Sequence, residues 1–385
     1  MAKRIHEQEY NKGEWAELYV FLDLLGTGRL HAADGDLRRR PDSFLEVSKV
    51  LRCEPCAEPL DYAVDPAAGT VEVRRGDGGV VATASMASCA HAARALFAHL
   101  TSHAAGKTMH APASVCDFVE SIGVTNPKAP GAAGRNGSFG GKADIVVETR
   151  DARNSLTNRM GFSVKSQFGS AATLFNAGPS APLLYWVAHC TDALMDEFNA
   201  LSDAKGGRPW LKCCQPFFAE HGLRVSFARA RNTGSFERNL LFVREGMLEI
   251  MAACVRERFV RGAASADVAA VTALVAEQNP MRYPPAVAAA VYEKAMKDFL
   301  YAAFSGMSAT KPWNGVEQVN GGYIVVKPDG EVLCYHANDR EEFRDYLFRT
   351  TKFESPSTKK FGWSYIEKSD GEYLLPINFS IRFKK

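Results

Sequence analysis

The chain has 385 residues, of which 46% are apolar and 23% charged, and its formal net charge is +2. That length holds one large domain or two ordinary ones, and the balance excludes disorder over most of the chain. The near-neutral charge excludes a uniformly basic nucleic-acid binder, so any basic surface is local and offset elsewhere. The opening "MAKRIHEQEY" is polar, and nine cysteines are scattered without a framework. With no apolar run of about 18 residues, a cytoplasmic protein with free thiols and no membrane segment is expected.

"GEWAELYVFLDLLGTGRL" predicts an amphipathic helix from Glu14 to Leu25, ended by Gly26 and Gly28. Phe44 to Met86 alternates apolar and polar residues in four segments, predicting antiparallel strands. Cys89–Leu100 and Pro112–Gly123 read as helices, and Pro127–Gly137 as a loop rich in breakers. "FGGKADIVVE" and "GFSVKSQFG" read as neighbouring strands, "SAATLFNA" as a short helix and "PLLYWVAH" as a buried strand. Thr191 to Phe304 is mostly helical, with a strand at Leu223–Arg229 and one helical period from Phe236 to Arg261. Hairpin signals return at Pro328-Asp329-Gly330 and Asp370-Gly371. The chain is thus an α/β protein with a mixed central sheet flanked by helices, a helical subregion and C-terminal β-hairpins.

Several motifs fail. "AAGKT" and "GSFGGKA" lack the first glycine of a phosphate-binding loop. Cys53-x-x-Cys56 has no matching second pair; Cys89 and His91 could complete a zinc site, but free thiols in a loop are the plainer reading.

The two central strands carry the chemistry. Alternation places Asp144, Val146 and Glu148 on one face of the first. It places Ser163, Lys165 and Gln167 together on the second. One surface of the hairpin can therefore gather Asp144, Ser163, Lys165 and Gln167. A carboxylate that binds Mg²⁺, beside a lysine that steadies phosphoryl charge, suits phosphodiester hydrolysis. An amphipathic hairpin with surface charges fits the same pattern.

The blocks "NKGEWAELYVFLDLL", "SFGGKADIVVE", "GFSVKSQFGSAATLFNAG", "VKPDGEVLCYH", "YLFRTTKFESPSTKKFG" and "LPINFSIRF" run in order through nearly the whole chain. Together they resemble the HpaII family of type II restriction endonucleases, and the hairpin resembles the PD-(D/E)xK nuclease core. The resemblance implies one endonuclease domain over residues 1–385, with a catalytic core roughly at 112–190 and a helical subregion roughly at 191–304. It implies Mg²⁺-dependent cleavage of double-stranded DNA at a short palindrome, CCGG. A possible homodimer would cut both strands, and a cognate methyltransferase would be the genetic partner. Carried over, Asp144 is the metal carboxylate and Lys165 the catalytic lysine.

Ser163 departs from the pattern, which wants an acid there. Candidates for the second acid are Glu17, as a metal ligand, and Glu14, either of which could instead be a solvated helix residue. Gln167 could orient water or phosphate. Arg224, Arg229, Arg231 and Arg238 form a cluster suited to guanine edges or to phosphates. Lys352, Lys359 and Lys360 read as backbone contacts, and Thr173 and Asn176 follow the catalytic strand towards the scissile phosphate. A repair nuclease of the same core, or a site-specific DNA binder that has lost catalysis, are the alternatives.

Overall fold

The computed structural model describes residues 5–54, 58–103, 108–128, 143–151, 157–167, 173–176, 178, 183–204, 210–231, 234–316, 321–336, 339–354 and 364–384. The chain divides into two compact units, Met1–Ala171 with Gln318–Phe343, and Ala172–Glu317 with Arg344–Lys385.

The first unit opens with helix α1 (Lys12–Thr27). Asn11 caps it in a reciprocal capping box: its side chain accepts from the Glu14 amide at 3.0 Å, and the Glu14 carboxylate accepts from the Asn11 amide at 2.9 Å. The helix ends at Gly28, whose φ of 65° is the left-handed geometry that favours glycine. Gly26 does not end it. It lies inside the last turn, where a Cβ would stand 2.8 Å from the backbone of Ala90, so glycine lets two helices cross closely. The second of these is α2 (Met86–Ser102) and α3 (Ala113–Ser121) follows it.

Nine strands make the unit's sheet. They are β1 (Arg29–Ala33), β2 (Arg39–Arg52), β3 (Leu60–Asp65), β4 (Thr70–Arg75), β5 (Val80–Ser85), β6 (Ile145–Asp151), β7 (Thr157–Ser166), β11 (Gly322–Val326) and β12 (Val332–His336). Their order is β1-β12-β11-β7-β6-β2-β3-β4-β5. β2 is long enough to serve two partners along one edge: β1 beside its first half and β3 beside its last residues. The β1–β2 pairing closes six of the strands into a ring. The expected mixed central sheet is therefore curled into a barrel, unlike the sheet that the PD-(D/E)xK resemblance implied, and β3, β4 and β5 extend it as a meander. β6 and β7 form the expected hairpin, with Ile145 opposite Phe162. The apolar face of α1 (Trp15, Leu18, Phe21, Leu25) packs into one core with Val50, Ile145 and Phe162. The opposite face of β6 is not wholly polar, since Val146 is buried against Leu51.

The second unit holds β8 (Thr173–Asn176), β9 (Leu183–Ala188), β10 (Arg224–Ala230), β13 (Thr351–Glu354), β14 (Glu367–Ser369), β15 (Glu372–Ile377) and β16 (Ser380–Phe383). They form two antiparallel sheets, β10-β9-β15-β14 and β13-β16-β8. Its helices include α4 (Asp192–Ala204), α5 (Trp210–Glu220), α6 (Ser235–Val243), α7 (Met247–Phe259), α8 (Val268–Gln278), α9 (Pro285–Phe304) and most of α10 (Arg340–Thr350). Two expectations are corrected here. The "SAATLFNA" segment supplies a strand where a short helix was expected: β8 is the edge partner of β16. The period from Phe236 to Arg261 is two helices, broken at Gly246 with φ 77°. Among the described residues no helix is long and apolar enough to cross a membrane.

Candidate active site

Asp144 sits immediately before β6, and its amide donates to the Phe162 carbonyl at 2.8 Å, which extends the β6–β7 ladder by one residue. That pairing turns the Asp144 carboxylate back over β7. Its Oδ2 accepts two hydrogen bonds of 2.8 Å, one from the Ser163 hydroxyl and one from the Val164 amide. Ser163 thus holds the first acid in place. A second carboxylate at this position would bring a like charge against Asp144 and no donor. Asp144 Oδ1 has no hydrogen bond to a described residue.

Lys165 lies two residues along β7, on the Ser163 face, with its ammonium 5.7 Å from the centre of the Tyr323 ring on β11. β11 runs parallel to β7 and places Tyr323 beside Ser163. Gln167 follows the last residue of β7; its side chain is exposed and its amide donates to the Val326 carbonyl at 2.9 Å.

The helix acids take different parts. Glu14 is committed to the capping box and also faces the Lys128 ammonium at 3.7 Å. Glu17, one turn further, is half-buried. Burial first, and then the charge of Asp144, push its carboxyl up to about 8; Lys128 and Lys165 pull the other way. Glu17, Asp144 and Lys165 therefore share one electrostatic environment, brought together by the packing of α1 on β7. Glu148, on the Asp144 face, is spent elsewhere: Lys49 at 3.2 Å and Arg159 at 2.7 Å flank it. Burial raises its carboxyl, but these partners outweigh burial and hold it below the ordinary range.

The donor set suits a hard divalent cation. Two carboxylates that repel each other gain from a cation between them, and among the described residues one of them, Asp144, has an oxygen that accepts no hydrogen bond. Among the described residues no three His, Cys, Asp or Glu side chains gather as metal ligands. Mg²⁺ is commonly held by only one or two carboxylates, with water and substrate phosphate completing its shell.

The residues expected to meet DNA lie in the second unit. Arg224 and Arg229 are exposed on β10, and Arg229 faces Glu372 at 3.7 Å. Arg231 pairs with Glu367 at 2.7 Å. The cluster, which has one acid in its own segment, thus meets two more from β14 and β15. Arg238 on α6 lies 5.9 Å from the Phe242 ring centre. Lys352 is on β13 opposite Arg382, whose guanidinium donates to the Thr173 hydroxyl at 3.1 Å. The Asn176 side chain accepts from the Gly178 amide at 3.2 Å. Lys359 and Lys360 lie outside the described residues. Cys53 and Cys89 are free thiols, Cys89 in the core, and Cys56 lies outside the described residues.

Lys128 is the residue that sequence patterning missed, because it stands in a breaker-rich loop with no period to mark it. Its "NPK" context, just beyond the end of α3, gives no signal of the acids it faces.

A hairpin acid, a helix acid and a lysine at one place are equipment for hydrolysing a phosphodiester, and comparison with known proteins gives that class its content: this is a site-specific deoxyribonuclease of the restriction type. The chain belongs to the HpaII restriction endonuclease family, whose model matches residues 11–383. It is similar to the type II restriction enzyme HpaII of Haemophilus parainfluenzae, with 28% identity over 373 residues, covering 97% of this chain and 98% of that one. No solved structure matches the chain. Enzymes of this type act on double-stranded DNA and generally use divalent metal ions.

Proposed function

We propose that the protein is a Mg²⁺-dependent endonuclease that cuts double-stranded DNA at CCGG, with Asp144, Lys165 and Glu17 as its chemical centre. The observation that carries this reading is the shared environment of those three residues, with Ser163 donating to Asp144. It supports a PD-(D/E)xK type of site in which the second acid comes from α1 and the usual acid position on β7 is a hydrogen-bond donor. The family match runs through both units, which supports reading residues 1–385 as one endonuclease domain.

In this reading Asp144 and Glu17 hold Mg²⁺, which when bound neutralises phosphate charge and eases deprotonation of a water. Ser163 and the Val164 amide fix the Asp144 carboxylate through one oxygen, and the carboxylate so held would be a ligand for the ion. Lys165 offers its ammonium to the phosphoryl oxygens as negative charge builds on them. Gln167, exposed at the end of β7, orients the attacking water or the phosphate, and Glu14 supports the helix end. Water adds to phosphorus, the ester oxygen leaves, and no covalent enzyme intermediate is needed.

Arg224, Arg229, Arg231 and Arg238 offer forks that suit guanine O6 and N7, each good pair contributing about 1–3 kcal/mol of discrimination. Lys352, Lys359, Lys360, Thr173 and Asn176 serve as backbone contacts in the same reading. A two-fold site is most simply cut by a homodimer, and a cytoplasmic methyltransferase acting on the same site would protect the host.

The test is to incubate unmethylated plasmid with the protein and Mg²⁺, beside Asp144→Ala and Lys165→Ala, and to sequence the ends. Ends confined to CCGG and absent in both variants are expected. Ends at another sequence would remove the specificity and keep the chemistry. Retained cutting by either variant would remove the assigned site.

A further inference from the structure

Arg52 and Glu54, at the end of β2, are each only 2% exposed. The Arg52 guanidinium donates to Glu54 at 2.9 Å and to the Asn126 carbonyl at 2.6 Å, and it stacks 4.7 Å from the centre of the Phe21 ring. The other Glu54 oxygen accepts from the Thr125 amide at 3.1 Å and the Thr125 hydroxyl at 2.7 Å. The Asn126 side chain in turn accepts from the Lys128 amide at 3.0 Å. Upstream, the buried Tyr62 hydroxyl donates to the Ile122 carbonyl at 3.0 Å. A buried ion pair therefore spends its remaining hydrogen bonds on two consecutive residues of one connection, and Lys128 follows two residues after them.

The other end of the arrangement is α1. Phe21 lies one helical turn beyond Glu17, so the clamp ties the connection to the helix that carries Glu14 and Glu17. Lys128 itself is 53% exposed and touches Glu14 at 3.7 Å. An exposed ion pair of this kind contributes little stability. Burying two charges carries a desolvation cost, and a well-packed apolar pair often serves stability as well or better. A costly buried pair that fixes the approach to an exposed lysine makes sense if the position of that lysine matters.

We propose that Lys128 is a further substrate-binding residue, a cation that engages a DNA phosphate beside the Glu17–Asp144 pair, and that Arg52 and Glu54 are its positioning residues. The inference rests on the nuclease reading above. In free protein the ammonium rests on Glu14, and a phosphate replaces that partner when DNA arrives. Lys128 then joins Lys165 at the site, one lysine carried by a strand and one by a clamped connection.

The test uses the full-length protein and a short duplex containing CCGG. Binding is measured against salt with Ca²⁺ in place of Mg²⁺, and single-turnover cleavage is measured in Mg²⁺. Lys128→Ala is expected to lower the slope of log affinity against log salt by about 0.9, the share of one phosphate contact. Its cleavage rate should fall by about ten-fold, and its melting temperature should not move. Lys128→Arg should keep the slope. The apolar double variant Arg52→Met/Glu54→Leu should lose the same share of slope, and adding Lys128→Ala to it should cost nothing more. If wild type cuts and Lys128→Ala keeps both the slope and the rate, the inference fails while the nuclease reading stands. A folded double variant with the wild-type slope would remove the positioning role. A wild type that cuts no DNA would remove the nuclease reading and this inference with it.

Discussion

Replacing Glu17 by glutamine tests the site through stability as well as activity. In the folded chain burial, and after it Asp144, move the Glu17 carboxyl from 4.5 to about 8. The folded state thus keeps a proton that the unfolded chain releases above 4.5, so stability falls as pH rises through this window and levels off above about 8. At about 1.4 kcal/mol per pH unit the full gap corresponds to about 5 kcal/mol, and solvent reaching the half-buried side chain reduces it to about 2–3 kcal/mol. Glu17→Gln cannot ionise and escapes this loss. Urea unfolding in EDTA should show no pH-dependent advantage for the variant at the acid end of the window, and an advantage of about 2–3 kcal/mol beyond its alkaline end. The same variant should lose cleavage by about 100-fold, because it lacks one of the two carboxylates proposed for the ion. A stability difference that stays constant with pH would refute the assigned burial and the repulsion from Asp144.

Other substitutions probe the supports. Ser163→Ala should cost about 1–2 kcal/mol in urea unfolding, because it removes a donor from a charged acceptor, and should slow cleavage about ten-fold. Ser163→Glu, which restores the acid usual at this position, should be worse than Ser163→Ala in both measurements, since it sets a like charge against Asp144. Arg52→Ala should cost about 3–5 kcal/mol because it strands the buried Glu54 carboxylate. Gly26→Ala should cost about 1–3 kcal/mol by forcing α1 from the Ala90 backbone, with thermal melting as the readout.

Much of the local structure could be read from residue patterns, and the reasons are physical. α1 shows in its helical period, which places Glu17 one turn from Glu14, while the Asn11–Glu14 capping box starts the helix at Lys12, earlier than that period marks. The β6–β7 hairpin shows in its alternation, and alternation sets Ser163 and Lys165 on one face. What was not legible is non-local. β1 is a five-residue strand whose parallel partner β12 lies about three hundred residues away, and this partner and β2 close the ring. β8 has four residues and becomes a strand only because β16, at the far end of the chain, pairs with it. Ser163 looked like a missing acid because its role is a hydrogen bond to Asp144, which spacing does not display. The acids that meet Arg229 and Arg231 come from strands more than a hundred residues downstream, out of reach of a local charge count.

The most direct test of the chemical centre is single-turnover cleavage, in Mg²⁺, of a duplex carrying the site mapped from plasmid ends, by wild type, Asp144→Asn and Lys165→Met. Binding in Ca²⁺ is measured alongside. Both variants should bind the duplex, and each should lose at least about 100-fold in cleavage rate. A variant at either position that cuts at the wild-type rate would contradict the assignment of Asp144 and Lys165 to the chemistry.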